Sequence, residues 1–458
     1  MAKADMNGNN TQLLHHQPAQ TVAFRRGQPI SAEVFLLDVE RAASGLPDHR
    51  YVFNLCEDRY HFMVGFAAAL QRRQITLMPQ NATAGAVNNL LEDFPDSYSL
   101  AEQPTGEIAT SHINYKDLMQ SESPLKPGSV LLEPDQTAAI LFTSGSTGKP
   151  KMHPKSWDNL KTEAALALTH FPFNTHNIKS IVATVPSQHM YGLATAILFP
   201  WQGAIGIDTG RPFFPADICQ ALSRLPAPRV LVTTPLHLRA CVAAGLDWPS
   251  IEFIISATAP LAPSLAAEAE QKMDTQVFEI YGSTETGSIA GRHTAVDASW
   301  KLYEGIAIHP HTEGCEVEGG HLTDKIMLND LIRLNADNSF QLLGRDSDIL
   351  KIAGKRASLS DLNHQLIHIP GVIDGTFLLP EGNRRENLRL SALVVAPSLT
   401  KREILQALAN SIDEVFLPRP LHLVESLPRN ATGKLPKSAL EELLNSLRND
   451  NQSNQENA

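Results

Sequence analysis

Through the first three-quarters of the chain, short apolar runs alternate with helix-length segments. The runs are YVFNLC (51–56), AAILF (138–142), SIVATV (180–185), RVLVTT (229–234) and FIISA (253–257). They are too short for helices and rich in β-branched and aromatic residues, which predicts strands buried in a sheet core. Helical patterns occupy 60–73 and 263–272. Such alternation predicts an α/β domain with a mostly parallel sheet flanked by helices, whose ligands sit beyond the carboxyl ends of the strands. From about residue 344 the pattern changes. A strand DILKI (348–352), a helix at 359–367, strands near 375–379 and 388–395, a helix at 400–415 and a strand near 421–424 predict a small α+β unit.

A chain of 458 residues has length for about three average domains at ~150 residues each, and its 43% hydrophobic content suits a globular core. The net charge of -11 gives no general attraction to nucleic acid or anionic lipid. Cys56, Cys219, Cys241 and Cys315 are dispersed without CxxC spacing, which fits a reduced, cytoplasmic chain without structural zinc. No run supplies the roughly 20 apolar residues of a membrane span, and the polar first 20 residues lack a signal-peptide core, so no membrane insertion is expected. Residues 1–20 and 449–458 read as disordered ends.

The densest chemistry lies in LFTSGSTGKPK (141–151), where glycines, hydroxyls and two lysines follow an apolar strand. Glycines let backbone N–H groups approach an anion, hydroxyls add donors, and a lysine adds a mobile positive charge, so the segment suits a polyphosphate. It is not the common P-loop: two residues rather than four separate Gly145 from Gly148, and Pro150 follows Lys149.

TSGSTGKPK resembles the phosphate loop of the adenylate-forming enzymes, the superfamily of acyl-CoA synthetases, adenylation domains and luciferases. YGSTETG (281–287), LLGRDSDILKIAGKR (342–356) and LPRNATGKLPKSAL (427–440) resemble its other signatures, in the same order. The resemblance implies a shortened N-terminal AMP-binding domain over 21–344 and a mobile C-terminal lid over 345–448. Between Gly291 and Asp330 the chain is shorter than such enzymes usually are.

The implied reaction makes an acyl-AMP and pyrophosphate from an acid and ATP with Mg²⁺, then passes the acyl group to a thiol of CoA or phosphopantetheine. Thr143, Ser144, Gly145, Ser146, Thr147, Gly148 and Lys151 would grip the β- and γ-phosphates. Glu285 would bind Mg²⁺, with Thr284 on the α-phosphate. Tyr281 and Gly282 would lie against adenine, with Ser256, Ala257 and Thr258 on its other side. Asp330, in a looser LND setting, and Arg345 would hold the ribose. Lys434 would be the lid lysine, and His189 in PSQHMYG would border the acid pocket. Asp346 and Ser347 mark the hinge, and Gly354 leaves room for a pantetheine arm. Ser347 departs from the usual hinge acid; Asn363 stands where glutamate is frequent and Lys437 where arginine is.

A narrower resemblance is to the small AMP ligases of aryl-polyene and xanthomonadin-type pathways. It implies a small carboxylic acid substrate such as a hydroxybenzoate, with an acyl carrier protein as partner. The alternatives are a fatty or short-chain acyl-CoA synthetase and, in another class, a non-catalytic nucleotide-binding regulator.

Overall fold

The structure, a computed structural model, describes residues 11–447 except 105, 121–129, 144–149, 312–313, 346–348, 353–354, 380–389, 431–434, 437–438 and 441, with backbone only at 345, 349, 351, 356, 360, 361 and 364. Contacts divide the chain into two compact units, Met1–Ala307 with Val317–Ile326, and Ile308–Glu316 with Met327–Ala458.

Besides a two-stranded pair, Thr11–Gln12 with Leu131–Leu132, the first unit holds two large sheets. In one, the order is Lys151–Ser156, Thr137–Thr143, Ile75–Met78, Tyr51–Asn54, Ser97–Ala101, Ser111–Asn114. All neighbours are parallel except the first pair, a hairpin. In the other, Thr21–Arg25, Gly206–Asp208, Ser180–Ala183, Arg229–Thr233, Phe253–Ser256 and Gln276–Ser283 lie side by side and parallel. Antiparallel strands extend it at both ends, Gln28–Ser31 at one and Gly287–His293 with Trp300–Leu302 at the other. The apolar runs thus form the parallel centre their composition predicts, because only strands covered on both faces carry unbroken apolar sequence. Val182, Leu231, Ile254 and Val277 pack with Ile218, Leu238 and Ala266 of the covering helices. On the opposite face Phe171, Phe173, Phe253 and Phe278 meet edge to face.

Residues 11–20, read from polarity as disordered, are ordered: Thr11–Gln12 pairs with Leu131–Leu132, and Leu13 and Leu14 are buried. Hydrogen bonds from Trp157 Nε1 to the Thr11 hydroxyl at 2.8 Å and from Gln202 to the Leu13 carbonyl at 3.1 Å join the two buried leucines in anchoring this polar end. Residues 1–10 and the tail from 448 lie outside the described residues. Among the described residues no helix is long and apolar enough to cross a membrane.

In the second unit, the three-stranded sheet Asp374–Leu378, Ser391–Val395, Leu421–Leu423 packs against the helices Leu359–Ile367 and Lys401–Ala409 through Leu366, Phe377, Val394 and Ile404. The helix expected over 400–415 is broken. It ends at Ala409, and Asp413 caps a separate turn at Glu414–Phe416 by accepting from Val415 N–H. Asn410 and Ser411 favour such a break. Asn363, singled out for its departure from pattern, accepts a hydrogen bond from Phe377 N–H at 2.6 Å and so ties helix to sheet.

Candidate active site

The phosphate-loop segment is the connection of a hairpin. Thr143 ends one strand, Lys151 begins the next, and the two are paired across it. Ser144, Gly145, Ser146, Thr147 and Gly148 lie outside the described residues. The second strand, Lys151–Ser156, is an edge strand carrying Pro154, which its outer side tolerates. Side chains alternate along a strand, so Lys151, His153 and Lys155 share one face. His153 lies 2.8 Å from the Thr143 hydroxyl through Nε2 and 3.6 Å from Glu285 Oε1. Burial pushes its imidazole below the usual value, against the pull of the Glu285 carboxylate.

YGSTETG forms the turn between Gln276–Ser283 and Gly287–His293. A register shift falls between Tyr281 and Gly282, where a Cβ would stand 2.1 Å from the Gly287 carbonyl oxygen. Thr286 N–H donates to Ser283 Oγ at 3.1 Å, and Ser283 N–H to Thr286 Oγ1 at 3.0 Å, which tightens the turn. Its backbone is also held from behind. Lys155 Nζ donates to the Glu285 carbonyl at 2.5 Å, and His321 Nε2 donates to that of Thr286 at 2.6 Å. Glu163 Oε1 accepts from both Ser288 N–H and Ser288 Oγ at 2.7 Å. Lys155 is 7% exposed and Glu163 2%. Burial lowers the Lys155 ammonium, while Glu163 and Glu285 support its charge.

The Glu285 side chain is 27% exposed. Burial alone would raise its carboxyl; hydrogen bonds from its own backbone amide and from Ser283, with the charges of His153 and Lys151, outweigh this and hold it below the usual carboxylate range. An ionised, accessible oxygen ligand fits Mg²⁺, which takes one or two carboxylates and completes its shell with phosphate and water. Among the described residues no group of three or more His, Cys, Asp or Glu forms a protein-only metal cage. Thr284 is half-buried in the same turn.

Ser256 ends the neighbouring strand Phe253–Ser256, paired with Thr233 on one side and Glu279 on the other. Ser256 and Ala257 are buried, and Thr258 has φ +83°. That conformation is rare for a β-branched residue, and such strain collects at functional turns. Buried Glu279 fixes the far end of this segment by accepting from Leu261 N–H at 2.8 Å. Its other oxygen accepts from Arg292 Nε at 2.8 Å and Nη2 at 2.5 Å and from Thr294 Oγ1 at 3.0 Å. Tyr281 is buried with its ring 5.5 Å from that of Trp300, over which the Arg292 guanidinium lies at 4.5 Å. His189 is half-buried immediately before the helix Met190–Leu193, and Tyr191 of that helix donates its hydroxyl to the Thr233 and Ile255 carbonyls at 3.0 and 3.1 Å.

The first unit therefore gathers Thr143, Lys151, Thr284 and Glu285, sets Ser256, Tyr281 and Gly282 in the last residues of adjoining strands, and places Ala257, Thr258 and His189 beyond strand ends. In the second unit, Asp330 opens the strand Asp330–Leu334 and is directly paired with Arg345, the last residue of Ser339–Arg345. The side chain of Arg345 and the whole of Asp346, Ser347, Gly354, Lys434 and Lys437 lie outside the described residues. Sequence reasoning missed His153, Lys155, Glu163, Glu279, Arg292 and His321. The period-two pattern of KMHPKS was a readable signal for the first two; the other four act only through tertiary contacts.

Residues 16–315 match the model of the AMP-binding enzyme family. A 4-coumarate–CoA ligase of Halorhodospira halophila is 31% identical over 319 residues, which cover 65% of this chain and 75% of that protein. A 2-succinylbenzoate–CoA ligase of Listeria monocytogenes is 21% identical over 464 residues, 93% of this chain and 97% of that protein. Among solved structures, ATP-bound MatB of Rhodopseudomonas palustris has a TM-score of 0.78 at 18% identity, covering 93% of this chain and 96% of that one. O-succinylbenzoate CoA synthetase of Bacillus subtilis with ATP and magnesium has a TM-score of 0.79 at 17% identity, covering 92% and 96%. At these identities the structural likeness concerns the fold alone. The chain belongs to the AMP-binding enzyme family of the adenylate-forming superfamily and is an AMP-forming acid–thiol ligase.

Proposed function

We propose that the protein adenylates a small aryl carboxylic acid, such as a hydroxybenzoate, and transfers it to a phosphopantetheine thiol on an acyl carrier protein. The observation that carries the first step is the ionised, half-buried Glu285 beside His153, whose imidazole also meets the Thr143 hydroxyl at the root of the phosphate hairpin. Similarity to a 4-coumarate–CoA ligase and a 2-succinylbenzoate–CoA ligase supports an aromatic acid. The names of those relatives favour free CoA as acceptor, which is the second reading.

In the first step a carboxylate oxygen of the acid attacks the α-phosphorus of ATP, the bond to the β-phosphate oxygen breaks, and pyrophosphate leaves. Thr143, the 144–148 segment and Lys151 grip the departing phosphates. Glu285 would hold Mg²⁺, which when bound neutralises phosphate charge. Lys434 supplies a cation to the charge developing at the α-phosphate, a contribution typically worth about 10²–10³ in rate. Asp330 and Arg345 hold the ribose, Tyr281 and the 256–258 segment enclose adenine, and His189 borders the acid. In the second step the thiol sulfur attacks the acyl carbon, AMP leaves and the thiol proton is released. Asp346 and Ser347 serve as hinge and Gly354 gives the pantetheine arm passage. Lys355 is exposed but ion-paired with Asp413, so that charge is partly spoken for before an acidic acceptor arrives.

The test is acid-dependent exchange of labelled pyrophosphate into ATP over a panel of benzoates, cinnamates and fatty acids, followed by CoA against carrier protein as acceptor. Lys434→Ala is expected to abolish exchange while transfer from supplied acyl-adenylate persists. Equal loss of both would remove Lys434 from the first step, and failure of every acid to support exchange would sink the whole reading.

A further inference from the structure

Three features converge on the turn that carries Glu285. The strand leaving the phosphate loop sets Lys151, His153 and Lys155 on one face. Without a break it enters the helix Trp157–His170, where Ser156 and Asn159 form a capping box and Glu163 faces inward. Lys155 then holds the Glu285 carbonyl, and Glu163 holds both the amide and the hydroxyl of Ser288. Gly287 fits between them at φ +67°, where a Cβ would lie 2.4 Å from Glu163 Oε2.

An ammonium this buried is expensive to keep unless its contacts have a use. Its hydrogen bond goes to a main-chain oxygen of the one residue in the turn whose carboxylate is presented outward. We propose that Lys155 and Glu163 are positioning residues. They grip the 285–288 backbone from its buried side and fix the Glu285 carboxylate in place before the metal–nucleotide complex arrives. This rests on Glu285 as a metal ligand. Side chains that orient a ligand from behind are generally worth a further factor in metal affinity. The grip also couples the two ends of the site, since Lys155 stands on the strand that leaves the phosphate hairpin and bonds the turn that carries Glu285.

ATP affinity of the full-length chain, measured by calorimetry without acid substrate, provides the test. Each variant is titrated once with EDTA and once with excess Mg²⁺, and the ratio of the two dissociation constants is the metal-dependent gain. Lys155→Met is expected to lower that gain by about 10- to 100-fold, with affinity in EDTA near wild type. Lys155→Arg, which keeps a donor and a charge, should recover most of it. Glu285→Gln should lose the gain, and K155M combined with E285Q should be no worse than E285Q alone, as expected of groups that act in series. Should K155M fail to fold, K155M/E163Q removes both buried charges together and replaces it. A wild-type gain in K155M, equal weakening with and without metal, or losses that multiply in the double variant would each overturn the positioning role. A wild-type gain in E285Q would instead remove the metal-ligand reading beneath it.

Discussion

Replacing Arg292 by leucine leaves the Glu279 carboxylate buried without its cation. Glu279 is 3% exposed and Arg292 14%, so water screens the pair little. The carboxylate would keep Leu261 N–H and the Thr294 hydroxyl and lose two bonds from the guanidinium. Breaking a buried pair from one side typically costs about 3–5 kcal/mol. The pH dependence separates stranded charge from lost packing. Burial already raises the Glu279 carboxyl above its ordinary 4.5, with Arg292 the leading opposing influence; without Arg292 it rises further. A folded value above the unfolded one means the folded form holds the proton more tightly. The deficit is therefore smallest below pH 4.5 and grows as pH rises through the folded value. Urea unfolding at pH 5 and pH 8 measures this, and R292L/E279Q should recover stability at pH 8. A deficit under about 1 kcal/mol, the range of an exposed pair, or one that does not change with pH, would refute the reasoning.

Gly287→Ala places a side chain in a left-handed turn and against the Glu163 carboxylate; strain and the disturbed bonds to Ser288 should cost about 3 kcal/mol in urea unfolding, with a matching fall in ATP affinity. Wild-type stability would show that the turn is not constrained there. Burial pushes the His16 imidazole down to about 4 from 6.5. The folded state then resists protonation that the unfolded state accepts, so stability present above pH 6.5 is lost as pH falls towards 4, by about 3 kcal/mol. His16→Asn should flatten that loss in unfolding curves; an unchanged acid slope would mean other groups govern it.

Much of the fold was legible because its signal is local. Runs such as SIVATV and FIISA carry apolar residues at successive positions without alternation, as expected of a strand covered on both faces, and turn-rich segments follow them where strands end. Thr143, Lys151 and Glu285 stood out as candidates for the same reason, since residue types suited to phosphate and a hard cation are clustered within short motifs. The helix over 400–415 misled because its periodicity continues across Asn410 and Ser411, where hydrogen bonding of the turn decides the outcome. Tertiary structure alone determined what braces the site. Glu163 reads as an ordinary helix position, yet its carboxylate holds an amide 125 residues away; Lys155 looks like a surface lysine, yet it is buried on a carbonyl 130 residues away. Sequence by itself therefore determined which groups are candidates to meet a ligand, because their residue types cluster along the chain. Which groups hold them still was decided by the fold, because a buried charge is recognisable only from the partners that packing brings to it.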